Sequence, residues 1–324
     1  MATIQEVANE AGVSVGTVSN YLNGQKVRKN NAAKIDAAVE KLNYHASYLA
    51  QCLRSNKTQS IGLLINNMPN HFATTICAQI ETVAEKQDYM LLVCGFRDDK
   101  NLYKTKLHDL LQRQIDGLII FEGRDDWDGK QYLDNIDIPV VAIGAPYQHP
   151  YIDSYITNDK TSTAKVVGNL IKQGAKRIGI ITAPQYEYSA KQRLEGIYTA
   201  CIQHDFPESN LFIEIGDYSR ESGYQATKKL ILENKVDTLF VCNFNMGQGA
   251  LNALTELGIT PGVDIKYACY DYEQTSTMLF DNIQTIYPNT LEIGESAATS
   301  LLKHIDEGQV SSGITVTIPN IISF

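Results

Sequence analysis

Ser14, Thr17, Ser19, Asn20 and Asn23 crowd into the stretch VSVGTVSNYLNG (13–24) with no charged residue among them. Hydroxyls and amides at this density hydrogen-bond phosphate oxygens and base edges; they do not move protons. A second group is dispersed: Asn66, Asn67, Asn70, His71, Phe72, Asn158, Asp159, Arg193, Asn243 and Asp271. Amides, carboxylates, a guanidinium and an aromatic plate suit a hydroxyl-rich small molecule, although any lone Asn or Asp serves equally well as a turn residue or helix cap. Catalytic patterns are missing. The six cysteines form no CxxC pair, the six histidines no HExxH, and no Ser/His/Asp, paired-carboxylate or metal-ligand spacing is present. No strand is followed by GxGxxG or GxxxxGK[ST], and NFNMGQG (243–249) fits neither, so no cofactor is expected. An enzyme is therefore disfavoured.

The first group needs a helical scaffold, and the flanking residues supply one. Thr3 and Glu6 form a capping box for a helix over about 4–11 that turns Ile4, Val7, Ala8 and Ala11 inward. Gly12 permits a tight turn, Ser14 caps a second helix through Leu22, and a third runs over about 31–42 with Ile35, Ala38, Val39 and Leu42 apolar. The second helix turns Val13, Val18 and Leu22 inward and Val15, Gly16, Ser19 and Asn20 outward, a helix-turn-helix pattern. Pattern alone also allows a three-helix lid or dimerisation module.

Charge divides the chain at the same boundary. The net charge is −9, but residues 1–57 carry +3 and the remainder −12, so a nucleic-acid contact is expected at the N-terminal end alone. Neither a signal-peptide pattern nor an apolar run near the roughly 20 residues of a membrane span appears, which predicts a cytoplasmic protein with isolated thiols and no membrane contact.

The second group needs a scaffold that gathers distant loops. Strand-like runs at 61–65, 89–94, 116–121, 139–143, 177–182, 238–243 and 265–271 alternate with helical segments at 72–87, 102–113, 160–173, 190–204 and 246–257. This predicts an α/β body of two doubly wound, mostly parallel sheets facing a cleft, like a periplasmic sugar-binding protein. Ligands in such folds bind beyond the carboxyl ends of strands, where most of the second group falls.

TIQEVANEAGVSVGTVSNYLNG, continued by AAVEKLNYHASYLAQCLRS, resembles the N-terminus of the lactose-repressor (LacI/GalR) family of bacterial transcription regulators, and the likeness extends along nearly the whole chain. The resemblance implies that the second helix enters the major groove, with Val15, Gly16 and Asn20 at base edges and Thr3, Ser14, Thr17, Ser19, Asn23 and Tyr44 on phosphates. It implies a hinge helix in 47–58 whose Leu53, beside Arg54, wedges into the minor groove. It further implies a homodimer on operator DNA and places Arg193, Asn243 and Asp271 at effector positions; with Asn67, His71, Phe72 and Asp159 from the strand ends they make the expected site of a small effector, a sugar or related polyol. The divisions are then a head at 1–46, a hinge at 47–58 and a body at 59–324. Within the body, one subdomain takes about 59–157 and 288–312, the other about 158–287 and 313–324. Several positions depart from the family: Asn20 for a common Arg or His, Gly16 for a larger side chain, Arg28 for a capping hydroxyl, Ala46 for proline, His71 for proline, and Asn243-Phe244 for Asn-Asp. A transport-type binding protein is the competing class, opposed by the added head.

Overall fold

The computed structural model describes residues 2–22, 24–44, 57–66, 71–124, 132–134, 136–147, 149–270, 280–308 and 313–324. The chain divides into two compact units, 1–59 and 60–324.

The first unit holds α1 (Ile4–Ala11), α2 (Val15–Leu22) and α3 (Lys29–Leu42). Thr3 caps α1 in the expected capping box, and Gly12 ends it at φ 64°. The Ser14 hydroxyl accepts the Thr17 amide at 3.2 Å, opening α2. Val7, Ala8, Ala11, Val18, Ile35 and Ala38 form the core. α3 starts two residues earlier than expected; Arg28 stands at its N-cap without a side-chain capping bond.

The second unit contains two six-stranded sheets. The strands are β1 (Ser60–Ile65), β2 (Met90–Gly95), β3 (Gly117–Glu122), β4 (Val140–Gly144), β5 (Ile152–Thr157), β6 (Ile178–Thr182), β7 (Leu211–Ile215), β8 (Thr238–Val241), β9 (Lys266–Tyr270), β10 (Gln284–Tyr287), β11 (Thr315–Ile318) and β12 (Ile321–Ser323). The orders are β11-β5-β4-β3-β1-β2 and β12-β10-β9-β8-β6-β7, parallel except for β10 with β12. Central strands such as SIGLLI are buried throughout, as sheets covered on both faces require.

Helices α4 (His71–Glu85) and α10 (Thr290–Glu307) cover one face of the first sheet, and α5 (Lys100–Gln112) the other. For the second sheet the pairs are α6 (Asp159–Lys172) with α7 (Tyr188–Gln203), and α8 (Arg220–Leu232) with α9 (Phe244–Glu256). Each sheet is thus the centre of its own two-faced lobe.

Among the described residues the chain passes between lobes three times, at Thr157-Asn158, at Pro288-Asn289 and at Pro319-Asn320. Proline at the last two cannot continue a ladder, so the strands end there. One expected division is corrected: β11 joins the first sheet beside β5, so residues 313–318 belong to the first lobe and only the tail beyond Pro319 to the second. Parallel pairing with β5 leaves the segment no place in the other sheet.

Candidate functional site

Two sites arise, one in each unit. On the head, Ser14 is exposed just before α2 and Gly16 and Asn20, four residues apart, are exposed on one side of it, while Thr17 and Ser19 are half-buried. The Ser14 and Thr17 hydroxyls lie 2.9 Å apart, a paired donor group at the start of the helix. Val15 corrects the expectation of an outward residue: it is half-buried and packs on the head core. Tyr44 also leans on that core, and Tyr21 is held by a 2.6 Å bond to Asp36. Thr3 is exposed, with its hydroxyl and amide engaging Glu6. Asn23, Leu53 and Arg54 lie outside the described residues.

In the second unit a cavity of about 490 Å³ opens between the lobes, walled by the carboxyl ends of strands from both sheets. The first lobe supplies Asn66, Phe72, Asp98, Phe121, Gly123 and Tyr155; the second supplies Tyr186, Glu187, Arg193, Asp217, Ser219, Asn243 and Asn245. Phe72 stands edge-on to Phe121 with centroids 5.6 Å apart, so the first lobe offers an aromatic wall. Asn66 and Asp98 bond reciprocally, amide to carboxylate at 2.7 Å and backbone N–H to Asn66 Oδ1 at 2.8 Å. Asn243 caps α9 through its Oδ1, which accepts from the Asn245 and Met246 amides.

Arg193 is the most constrained of these. Its Nε donates to Asp159 Oδ2 at 3.0 Å, its Nη1 to the Cys242 carbonyl at 2.5 Å, and its guanidinium lies 3.7 Å from the Tyr270 ring centroid. Asp159 corrects its expected role: its side chain is 1% exposed and lies behind Arg193, not on the cavity wall. His71 is likewise absent from the wall; its ring stands 6.2 Å from that of Phe244. Asn67 and Asp271 lie outside the described residues. Of the seven expected effector residues, Phe72, Arg193 and Asn243 therefore share the cavity.

Arg124 and Glu187 went unrecognised in the sequence, although both follow strands that were read correctly. They form an isolated bridge, the Tyr188 amide donates to the Gly123 carbonyl at 2.7 Å, and Arg124 stacks 4.2 Å from the Tyr186 ring. The two lobes thus clasp each other at the cavity wall. Asp217 was missed because β7 itself was not read as a strand. Hydrogen bonds from Ser219 and Ser222 hold its carboxyl below the usual range, so it remains anionic.

Among the described residues, the thiols of Cys77, Cys201 and Cys242 are not activated nucleophiles. Burial pushes the Cys242 thiol up to about 12 and those of Cys77 and Cys201 up to about 11, keeping all three protonated. Among the described residues, no group of three or more His, Cys, Asp or Glu could hold a metal ion, and no helix is long and apolar enough to cross a membrane.

A helix-turn-helix head followed by a two-lobed body of periplasmic-binding type defines a DNA-binding regulator with a ligand-sized cleft. Comparison with known proteins agrees. Residues 3–47 match the bacterial regulatory proteins of the lacI family, and 58–323 match the family of periplasmic binding proteins and the sugar binding domain of LacI-family proteins. The chain belongs to the LacI family and is a transcriptional regulator, not an enzyme. The HTH-type transcriptional repressor PurR of Haemophilus influenzae (strain PittEE) is 31% identical over 326 residues, covering 98% of this chain and 96% of that one. The Lac repressor bound to ONPG in its repressed state superposes with a TM-score of 0.87 at 26% identity, covering 100% and 98% of the two chains. A CelR–cellobiose complex shares the fold, with a TM-score of 0.72 at 22% identity and coverage of 100% and 99%.

Proposed function

We propose that this chain is a cytoplasmic, homodimeric repressor whose affinity for a two-fold symmetric operator is set by an uncharged, hydroxyl-rich effector, a sugar or close relative, bound between the lobes. The observation that carries this reading is the charge of the cavity wall. Among the described lining residues the Arg193 guanidinium is matched by Asp159 at 3.0 Å, and Arg124, which stacks on the lining Tyr186, is matched by Asp98 at 3.5 Å. Glu187 and Asp217 add acceptors without adding a cation. A phosphate ester would enter a wall of neutral or negative balance, whereas hydroxyls find acceptors, amides and flat aromatic faces. The Lac repressor has been solved as a dimer bound to operator and an anti-inducer, and a relative from Enterococcus faecium with bound ribose, which supports both partners.

The working division is a head at 1–46, a hinge at 47–58 and a body from 59, with 313–318 returned to the first lobe. On the head, Gly16 and Asn20 read bases, Thr3, Ser14, Thr17, Ser19, Asn23 and Tyr44 hold phosphates, and Leu53 with Arg54 bends the duplex at the hinge. In the cavity, Asn67, Phe72, Arg193, Asn243 and Asp271 contact the effector. The test is operator affinity by fluorescence anisotropy, with and without a panel of neutral sugars and their phosphate esters, paired with thermal shift. At least one neutral sugar should raise the melting temperature and change operator affinity. A response confined to the esters, or none at all, defeats this assignment.

A further inference from the structure

Asp159 has both carboxylate oxygens committed inside the protein. Oδ2 accepts from Arg193 Nε at 3.0 Å, and Oδ1 accepts from Asn320 Nδ2 at 2.8 Å. Arg193 walls the cavity, whereas Asn320 lies in the Pro319-Asn320 crossover between β11 of one sheet and β12 of the other. The Asn320 amide in turn donates to Asn158 Oδ1 at 2.7 Å, and the Asn158 amide donates to the Ile318 carbonyl at 3.3 Å. Two of the three crossovers are therefore tied to each other, and that tie ends on the cavity's arginine.

We propose that Asp159 is a positioning residue that transmits the state of Arg193 to the interlobe crossovers. The inference rests on reading the cavity as the effector site. Three fixed partners leave the guanidinium little slack: the Asp159 carboxylate, the Cys242 carbonyl and the Tyr270 ring. A ligand oxygen that draws on Arg193 must therefore load the Asp159 bond. The two carboxylate oxygens share one carbon, so any rotation that follows Arg193 with Oδ2 withdraws Oδ1 from Asn320. Both bonds are charge-assisted, the first buried and the second partly so, where such bonds are strong and their loss is felt. Small rotations at crossover residues are what change the angle between lobes. The third crossover supplies an internal control, because Asn289 engages Glu292 instead and the Thr290 amide donates to the Pro288 carbonyl at 2.8 Å.

Amide hydrogen exchange on the ligand-free full chain tests this directly. Arg193→Met should lower protection several-fold at the Asn320 and Asn158 amides while leaving Thr290 unchanged. In an Asp159→Asn background the same Arg193→Met change should add nothing, because the relay is already cut. Equal losses at all three amides, or additive effects of the two substitutions, overturn the proposal. A second arm uses any neutral sugar that alters wild-type operator affinity. Asn320→Ala should keep the affinity for that sugar and lose most of its effect on operator binding; retention of the full effect also overturns the proposal. If no sugar alters the wild type, the effector reading fails, and the exchange arm still decides the relay.

Discussion

Asp153 and Asp159 are both buried carboxylates, yet they do opposite work. Asp159 links a ligand contact to a crossover, whereas Asp153 pins the first lobe. Asp153 accepts from Ser300 Oγ at 2.7 Å and from the Ile314 amide at 3.0 Å, and its Oδ2 lies 2.8 Å from His304 Nε2. Serine, histidine and aspartate thus do meet in space, but not as a catalytic triad. The same ring nitrogen of His304 faces both Ser300 and Asp153, whereas a triad uses the two nitrogens in series. Burial opposes ionisation of Asp153, but the bonds from Ser300, Ile314 and His304, with the charge of His304, outweigh it and hold its carboxyl below the ordinary value. A depressed folded-state pKa stabilises the protein above the unfolded value of about 3.9, and that contribution is lost as pH falls through the lower folded value. Asp153→Asn should therefore melt below wild type at pH 6, and the gap should narrow below about pH 4. A gap independent of pH in scanning calorimetry would remove the charge from this account.

At the scale of elements, α8 and α9 pack closely because glycines face backbone. A Cβ on Gly249 would stand 1.9 Å from the Arg220 carbonyl oxygen, and one on Gly223 would stand 2.2 Å from that of Met246. On the other side of the same helix α9, a Cβ on Gly247 meets nothing nearer than 3.5 Å. Gly249→Ala should cost about 1–3 kcal/mol by overpacking, since backbone cannot step aside. Gly247→Ala should instead gain up to about 1 kcal/mol, because alanine holds a helix better than glycine does. Chemical denaturation of the two variants side by side checks the contrast; equal effects would mean that the helix contact is looser than the backbone geometry indicates. The buried face of α8 is Gly223, Ala226, Thr227 and Leu230. A face this poor in large apolar residues lacks the periodicity that marked the neighbouring helices.

At the scale of the whole molecule, a charge of +3 on residues 1–57 and of −12 on the remainder direct nucleic acid to one end. On the proposed assignment of Gly16 and Asn20 to base edges, sequence selection depends on few atoms, because glycine offers no side chain and asparagine a short amide suited to adenine. Two substitutions separate reading from bending. Asn20→Arg should move base preference toward guanine at one half-site position in a binding-site selection, with bending unchanged. Leu53→Ala should reduce bending in a circular-permutation gel-shift and weaken specific binding, with the body still folded. Unchanged preference in the first, or wild-type bending in the second, refutes the corresponding assignment.

The sequence by itself determined the helix-turn-helix, since its signals are local: Thr3 with Glu6, the positive φ of Gly12, and the spacing of Val7, Ala8, Val18 and Ile35. It determined the alternation of central strands and helices for the same reason, because strands covered on both faces read as unbroken apolar runs such as SIGLLI. The short or partly covered strands β5, β7, β10, β11 and β12 carried weaker signals and went unread. Asn243 and Phe72 were legible as cavity residues because they follow the ends of β8 and β1, whereas Arg193, inside helix α7, was legible through the family resemblance. Only the tertiary structure decided that Asp159 and His71 leave the cavity, that β11 returns to the first sheet, and that Arg124 meets Glu187. The physical reason is common to all of these. Which side of a carboxylate faces solvent, and which sheet a short strand joins, depend on partners more than thirty residues away, as Asp159 depends on Arg193 and Asn320.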